Sequence, residues 1–520
     1  MANGLNRRAF NKSAYDYWGG QYGVVNVRDF GAVGDGVHDD TAAIQAAVNS
    51  SQGERAVYFT RTLNQYVISG SLIVPSHVRM IIDGDIYLAN GANASIIVLP
   101  VSATDIIFEG KGTLNGNRTN QTGVSGGITF PNGGNCNNII IRGLTITEIL
   151  LWPMNIVDCY DVELEYLKIS NCGNATGFAS TSPGTTYRCH ASKLRITSIN
   201  DYGFSFYGGP IDCSIKNSYI YGNQNGISVY NDASQPNASS DILIQGNFVY
   251  GNQRVGIAAA SSSSLNPHKN IQIIGNDIYN NNTANEAGAG GSDVWVSNSD
   301  NGLITDNLIH DSGNGSNGAA GVYLYAAMRY RVQGNQIFNE GVGSNASGAG
   351  IVLTVDTVDC TIDNNDFFDT QSTPTMHWGI QESAAPTGAV VSNNRFDASI
   401  SVPIADFSTV TSYKNQGLNP IGSVTPPASP LVSGTVYQNT FGVDIAIYQP
   451  AYATAAGTAG TVAVALGSSS TPSTIYTQWV NGSTTSSLPE VVPPLRVPSG
   501  WYYSFTATGA TLLNANIQGE

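Results

Sequence analysis

"NFVYGN" occupies 247–252, and "NDIYNN" follows at 276–281. The same motif recurs on either side as "SYIYGN" (218–223), "NLIHDS" (307–312), "NQIFNE" (335–340), "NDFFDT" (365–370) and "NRFD" (394–397). From Ser218 to Asn394 the steps are 29, 29, 31, 28, 30 and 29 residues. Weaker copies, "LKIS" (167–170) and "LRIT" (194–197), come earlier. A period this short is a structural unit, not a domain. Each period holds a second apolar-alternating run, usually opened by Gly: "GFSFY" (203–207), "GISVY" (226–230), "GIAAA" (256–260), "DVWVS" (293–297), "GVYLY" (321–325), "GIVLT" (350–354) and "GIQES" (379–383).

Each repeat therefore has at least two short strands split by polar turns, and no helix. Such a unit cannot bury its own apolar face, so the copies must stack. Stacked coils of parallel strands, roughly 4.8 Å apart, form a parallel β-helix. The register then assigns columns. Ile139, Val162, Cys189, Cys213, Ile242, Ile271 and Cys360 share one position, which makes those cysteines buried apolar filler. The six cysteines include no CxxC pair, so neither a zinc site nor another cofactor is expected. The asparagine column is expected to hydrogen-bond along the stack. Tyr221, Tyr250, Tyr279, His310, Phe338 and Phe368 form a ring column, so His310 reads as a ladder member and not as a catalytic base.

Upstream lies "VVNVRDFGAVGDGVHDDTAAIQAAVNS" (24–50). Gly31, Gly34 and Gly36 break the chain into turns. Asp39 and Asp40 precede an apolar-periodic run near 41–49, where aspartate favours a helix N-terminus. A short helix here covers the open end of the first coil, which otherwise exposes core and unpaired strand edges. This stretch, with "VYFTRTLNQYVISGSLIVPSHVRMIIDG" (57–84) and "GKGTLNGN" (110–117), resembles the N-terminal signature of the pectate-lyase-like β-helix superfamily. That superfamily takes in polygalacturonase-related hydrolases and phage tailspikes. The resemblance covers about residues 24–405 and implies a right-handed, single-stranded parallel β-helix that acts on polysaccharides. It does not choose among hydrolase, lyase and epimerase. Asp35, Asp39 and Asp40 are not catalytic positions in that group. "INDYGF" (199–204) is a distorted N-T-D-G, and the D-D, G-H-G and R-I-K motifs of polygalacturonases have no counterpart.

The expected organisation is an N-terminal arm (1–22), the β-helix (23–405), a Pro/Gly/Ser-rich linker (406–430) and a small C-terminal β-sandwich (431–520) serving assembly or glycan binding. The resemblance to tailspikes implies a homotrimer. A net charge of −15 disfavours nucleic acid as partner, because phosphate contacts need a basic surface. No apolar run approaches a membrane span. Arg7–Arg8 precede no apolar stretch, so no secretory signal is read. The chain is expected to be made in a cytoplasm and to act outside on a phage particle or after non-classical release.

Alternation places Ser205, Tyr207, Ser228, Tyr230, Ala258, Ala260, Trp295, Ser297, Tyr323, Tyr325, Val352 and Thr354 on one outer face. Trp295, Tyr323, Tyr325, Tyr230 and Tyr207 are the expected sugar-stacking residues. Segments 281–292, 312–320 and 340–349 are long insertions before this strand, expected to build a rim carrying Glu286, Asp293, Asp311 and Glu340. Asp293, Asp311, Glu340 and Asp201 are the candidate catalytic acids. Asp311 and Glu340 are expected one rung apart, in the range of glycosidase carboxyl pairs. Asp201 and Asp232 fall at opposite ends of their strands and are expected to be too far apart to pair. The leading reading is a glycoside hydrolase. The alternatives are a uronate lyase or epimerase and a non-catalytic glycan-binding spike.

Overall fold

The computed structural model describes residues 23–416 except 52–54, 182–183, 233, 235–236, 285, 287, 314–319, 342–347, 384–385 and 406–409. It also describes 431–519 except 440–444, 454–458, 482–489, 492–494, 499–500, 509 and 513–515. The expected N-terminal arm and the Pro-rich part of the linker lie outside the described residues.

Every repeat contributes three strands, one more than the two legible as separate runs. In one coil these are Tyr219–Tyr221, Asn225–Tyr230 and Ser240–Gln245. The third strand is the column that contains the cysteines. Like pairs with like in the next coil, always parallel: Tyr219↔Phe248, Ser228↔Ala258 and Cys213↔Ile242. Three sheets result. The narrow sheet of 13 strands contains Tyr219–Tyr221; the inner sheet contains Asn225–Tyr230; the third contains Ser240–Gln245. Inward side chains from all three form one continuous apolar core from Val25 to Ile404. All six cysteines are free and buried, among them Cys189, Cys213 and Cys360, which the column had placed.

The recurring glycine before each inner-sheet strand answers to close packing at the corner. A Cβ on Gly226 would stand 2.1 Å from the Gly256 carbonyl oxygen, and one on Gly256 2.7 Å from that of Asp293. Both contacts are shorter than real Cβ atoms make, so these two positions require glycine, whereas Asp293 fills the same column one coil on.

The asparagine column forms the predicted ladder. Asn247 N–H and Nδ2 donate to Asn276 Oδ1 at 2.9 and 3.0 Å, and Asn276 repeats this toward Asn307. The chain of bonds continues through Asn335, Asn365 and Asn394 to Asn415. Asn415 follows Asn394 by 21 residues, and the strand Thr411–Tyr413 pairs parallel with Val390–Ser392. The β-helix therefore runs to 416, past the boundary expected at 405. The shortened last coil breaks the period, which is why the repeat is lost there in the sequence. The ring column stacks as expected, with centroids 4.6–5.0 Å apart from Tyr221 to Phe368.

The helix Thr41–Ser50 buries Ile44, Ala47 and Val48 in the main core. Its aspartates divide the work differently from the expectation that both serve the helix. Asp39 Oδ1 accepts from Thr41 N–H at 3.0 Å. Asp40, the formal N-cap, turns away and accepts from Val33 and Gly34 N–H at 2.6 and 3.1 Å, tying down the glycine loop. Beyond the linker, strands pair antiparallel in three small sheets around a separate core that includes Ile447, Val462, Val464, Val497 and Phe505. Among the described residues no helix is long and apolar enough to cross a membrane.

Candidate functional site

The inner sheet turns two side-chain columns outward, and strand register fixes both. One runs Ser205, Ser228, Ala258, Trp295, Tyr323, Val352. The other runs Tyr207, Tyr230, Ala260, Ser297, Tyr325. This is the face read from the sequence. Tyr325 is 40% exposed, and Trp295 and Tyr323 are half-buried. Tyr323 and Trp378, an aromatic not anticipated, pack on an outer apolar patch of Ala320, Ala349 and Val352. Trp378 lies on Met376–Glu382, and its backbone pairs with Ala349.

At the other end of this face three tyrosines converge. The Tyr230 ring lies 4.7 Å from Tyr207 and 5.0 Å from Tyr202. Ser228, on the neighbouring column, is completely buried. Tyr207 Oη donates to Asp232 Oδ2 at 2.9 Å. Asp201, immediately before Tyr202, is half-buried, and desolvation raises its carboxyl above the usual range. Burial also raises the Tyr230 phenol, with Asp201 and Asp232 both adding to the rise. Both carboxyls thus influence one phenol, Asp201 from the start of the paired strands Tyr202–Tyr207 and Asn225–Tyr230 and Asp232 from beyond their end. Arg254 Nη2 pairs with Glu286 Oε1 at 2.9 Å on the adjacent rim.

The other three candidate acids are not gathered on this face. Asp311 was expected to stack on Glu340. Instead His310 pairs with Phe338, so Asp311 falls level with Asn339 and Ser312 with Glu340. A slip of one residue reverses the side of the chain on which a side chain lies. Asp311 turns outward and bonds His310 Nδ1 at 2.6 Å and accepts from Asn339 Nδ2 at 2.9 Å. Asp277 meets the other His310 nitrogen at 3.1 Å, so both nitrogens of the ladder histidine are held.

Glu340 and Asp293 turn inward and are wholly buried. They cap a second asparagine ladder that went unread: Asn223 N–H and Nδ2 donate to Asn252 Oδ1, and Asn252 does the same to Asn281. Asn281 Nδ2 then donates to Asp293 Oδ1 at 2.7 Å, and its N–H to Ser312 Oγ at 3.2 Å. The signal was present in the final Asn of "YGN" and "YNN". Asp293 Oδ2 and both Glu340 oxygens have no well-aligned donor. The two carboxyls interact directly with each other, and burial drives both pKa values up, Asp293 to about 8 and Glu340 well above the carboxylate range. The pair holds protons at neutral pH and presents no oxygen to solvent. Among the described residues no group of His, Cys, Asp and Glu is arranged to hold a metal.

Residues 24–257 match the family described as rhamnogalacturonase A/epimerase, pectate lyase-like, and residues 236–416 match the right-handed beta helix region. The chain is accordingly a pectate-lyase-like right-handed parallel β-helix protein. Its curated relatives include mannuronan C5-epimerase AlgE6 of Azotobacter vinelandii, 26% identical over 201 residues, which are 38% of this chain and 19% of that protein. Alginate lyase 7 of the same organism is also 26% identical over 201 residues, covering 38% of this chain and 20% of its own. The chain thus spans about a fifth of the length of these relatives. Among solved structures, the AlgE6 A-module superposes with a TM-score of 0.54 at 19% identity, covering 75% of this chain and 98% of that one. The tailspike protein of E. coli bacteriophage HK620, as a double mutant, superposes with a TM-score of 0.54 at 11% identity, covering 95% and 93%. These structural likenesses describe the fold.

Proposed function

We propose that the protein is a polysaccharide-degrading glycoside hydrolase. On this reading the glycan lies along the outward face of the inner sheet, and Asp201 donates the proton to the leaving oxygen. The observation that carries it is Asp201 itself. Of the four acids nominated from sequence, it alone combines partial exposure, a carboxyl raised above its usual range by burial, and a place beside the tyrosine cluster. A general acid needs this raised pKa. Asp232, which accepts from Tyr207, borders the same tyrosine cluster from beyond the end of the strand. Glycosidase chemistry also requires a second carboxylate within about 5–9.5 Å of the first, flanking the bond that breaks. The aromatic columns hold successive sugar rings. Asp293 and Glu340, sealed from solvent, serve the corner of the fold.

The relationship to mannuronan epimerases and an alginate lyase favours a second reading, elimination or epimerisation on a uronate polymer. Digestion of a glycan panel, read by mass, separates the two. Hydrolysis adds one water per cut; elimination leaves an unsaturated end that absorbs in the ultraviolet. Asp201→Asn should lower turnover by about 10²–10⁴-fold, the worth of acid assistance, while glycan retention in affinity gels is kept. Undiminished turnover in this variant, with the fold intact, would overturn the assignment of Asp201.

A further inference from the structure

From the charge pattern of the outer face we infer that the substrate is an uncharged polysaccharide and not a polyuronate. The inference rests on the reading of this face as a glycan track. From Ser205 to Thr354, the two outward columns contain only Ser, Tyr, Ala, Trp, Val and Thr. No side chain in them carries a charge of either sign. The wider sequence makes the absence systematic. Residues 255–394 contain only three Lys or Arg: Lys269, Arg329 and Arg331.

None of the three serves the track. Lys269 and Arg331 stand on strands of the third sheet, His268–Ile274 and Arg331–Gln333. Arg329, at the corner, donates to the Asp300 carboxylate. The long segments 281–292, 312–320 and 340–349 contain no Lys or Arg at all. Arg254, beside the tyrosine cluster, is already paired with Glu286. The ionisable groups beside the tyrosine end of the track, Arg254 apart, are carboxyls: Asp201, Asp232 and Glu286.

A polyuronate carries a carboxylate on every residue, spaced about as closely as the rungs. Laid on this face, each would lose hydration without meeting an unpaired cation, which is unfavourable. A neutral sugar has no such penalty. Its apolar ring face stacks on Trp295, Tyr323 and Tyr325. Ala258 and Ala260 lie beside Trp295 and leave room for an apolar substituent such as an N-acetyl methyl or a 6-deoxy methyl group. The aromatic ladder of the narrow sheet offers no equivalent track. Its rings stack face to face along the axis, so their faces are already covered.

Affinity electrophoresis of the full chain tests the inference, in gels containing neutral N-acetylated bacterial polysaccharides, polymannuronate or polygalacturonate. Retardation by a neutral polymer at low and raised salt alike, with none by either polyuronate, is the expected result. Trp295→Ala should weaken the neutral retardation at least tenfold. Ala260→Lys should create polyuronate retardation that fades as salt rises. Polyuronate retardation of the wild-type chain that is lost in Trp295→Ala would overturn the inference and leave the hydrolase reading standing if new ends appear. Neutral retardation without new reducing ends would sink the hydrolase reading alone. Retardation by neither class would overturn the face as a glycan track.

Discussion

Replacing Asp293 with Asn should make the protein more stable at neutral pH, and the gain should grow with pH. Asp293 is wholly buried with its carboxyl pushed up to about 8, through desolvation with a smaller contribution from the Asp311 charge. In the unfolded chain the same group ionises near its ordinary 3.8. Between those values the folded state holds a proton that the unfolded state has released. Stability therefore falls as pH rises, by up to about 1.4 kcal/mol per unit for one such group. It is fully present below the unfolded value and is lost through the folded one. From pH 5 to pH 7 the wild type should lose about 2–3 kcal/mol through this group alone. Asn is isosteric, keeps an oxygen for Asn281 Nδ2, and has no proton to release. The difference between variant and wild type should widen by that amount across the two pH units. Glu340→Gln should behave in the same direction, because its carboxyl is raised by burial and by Asp293. Equilibrium urea unfolding at pH 5, 6 and 7, followed by far-ultraviolet circular dichroism, measures the effect. A pH-independent difference, or a variant that loses stability faster than wild type as pH rises, would refute the picture of a buried protonated pair.

Asn276→Ala should destabilise the β-helix by about 3 kcal/mol or more in urea titrations, because it strips partners from Asn247, Asn307 and the Ile244 carbonyl in a buried ladder. Tyr250→Ala removes two ring stacks, on Tyr221 and Tyr279, and should cost about 1–3 kcal/mol by the same titration. All six cysteines should resist a polar maleimide in the native protein and react after denaturation; ready native labelling would show the register to be misplaced. The expected homotrimer should give three times the single-chain 54.7 kDa by light scattering, and a value at the single-chain mass would refute it.

The architecture was legible because a solenoid writes its tertiary contacts into a one-dimensional period. A residue's neighbours above and below lie about 29 positions away, so the asparagine ladder, the ring ladder and the buried cysteines could be read by aligning copies. The outward aromatic face followed from alternation within one strand. The acids could not be placed in this way. They sit at corners, where insertions change the residue count and a slip of one position reverses inside and outside. Asp311 and Glu340 look equivalent in the chain, yet only the pairing of His310 with Phe338 shows that Glu340 stacks on Ser312 and turns into the core. The burial of Asp293 against Glu340 joins residues 47 positions apart, across the 312–320 insertion, and no period predicts it. Asp201 and Asp232 lie at opposite ends of the paired strands Tyr202–Tyr207 and Asn225–Tyr230, a placement that strand length alone sets. Periodicity determines which side chains share a column. Corners and desolvation decide which of them share a site, and those are settled only when the chain is folded.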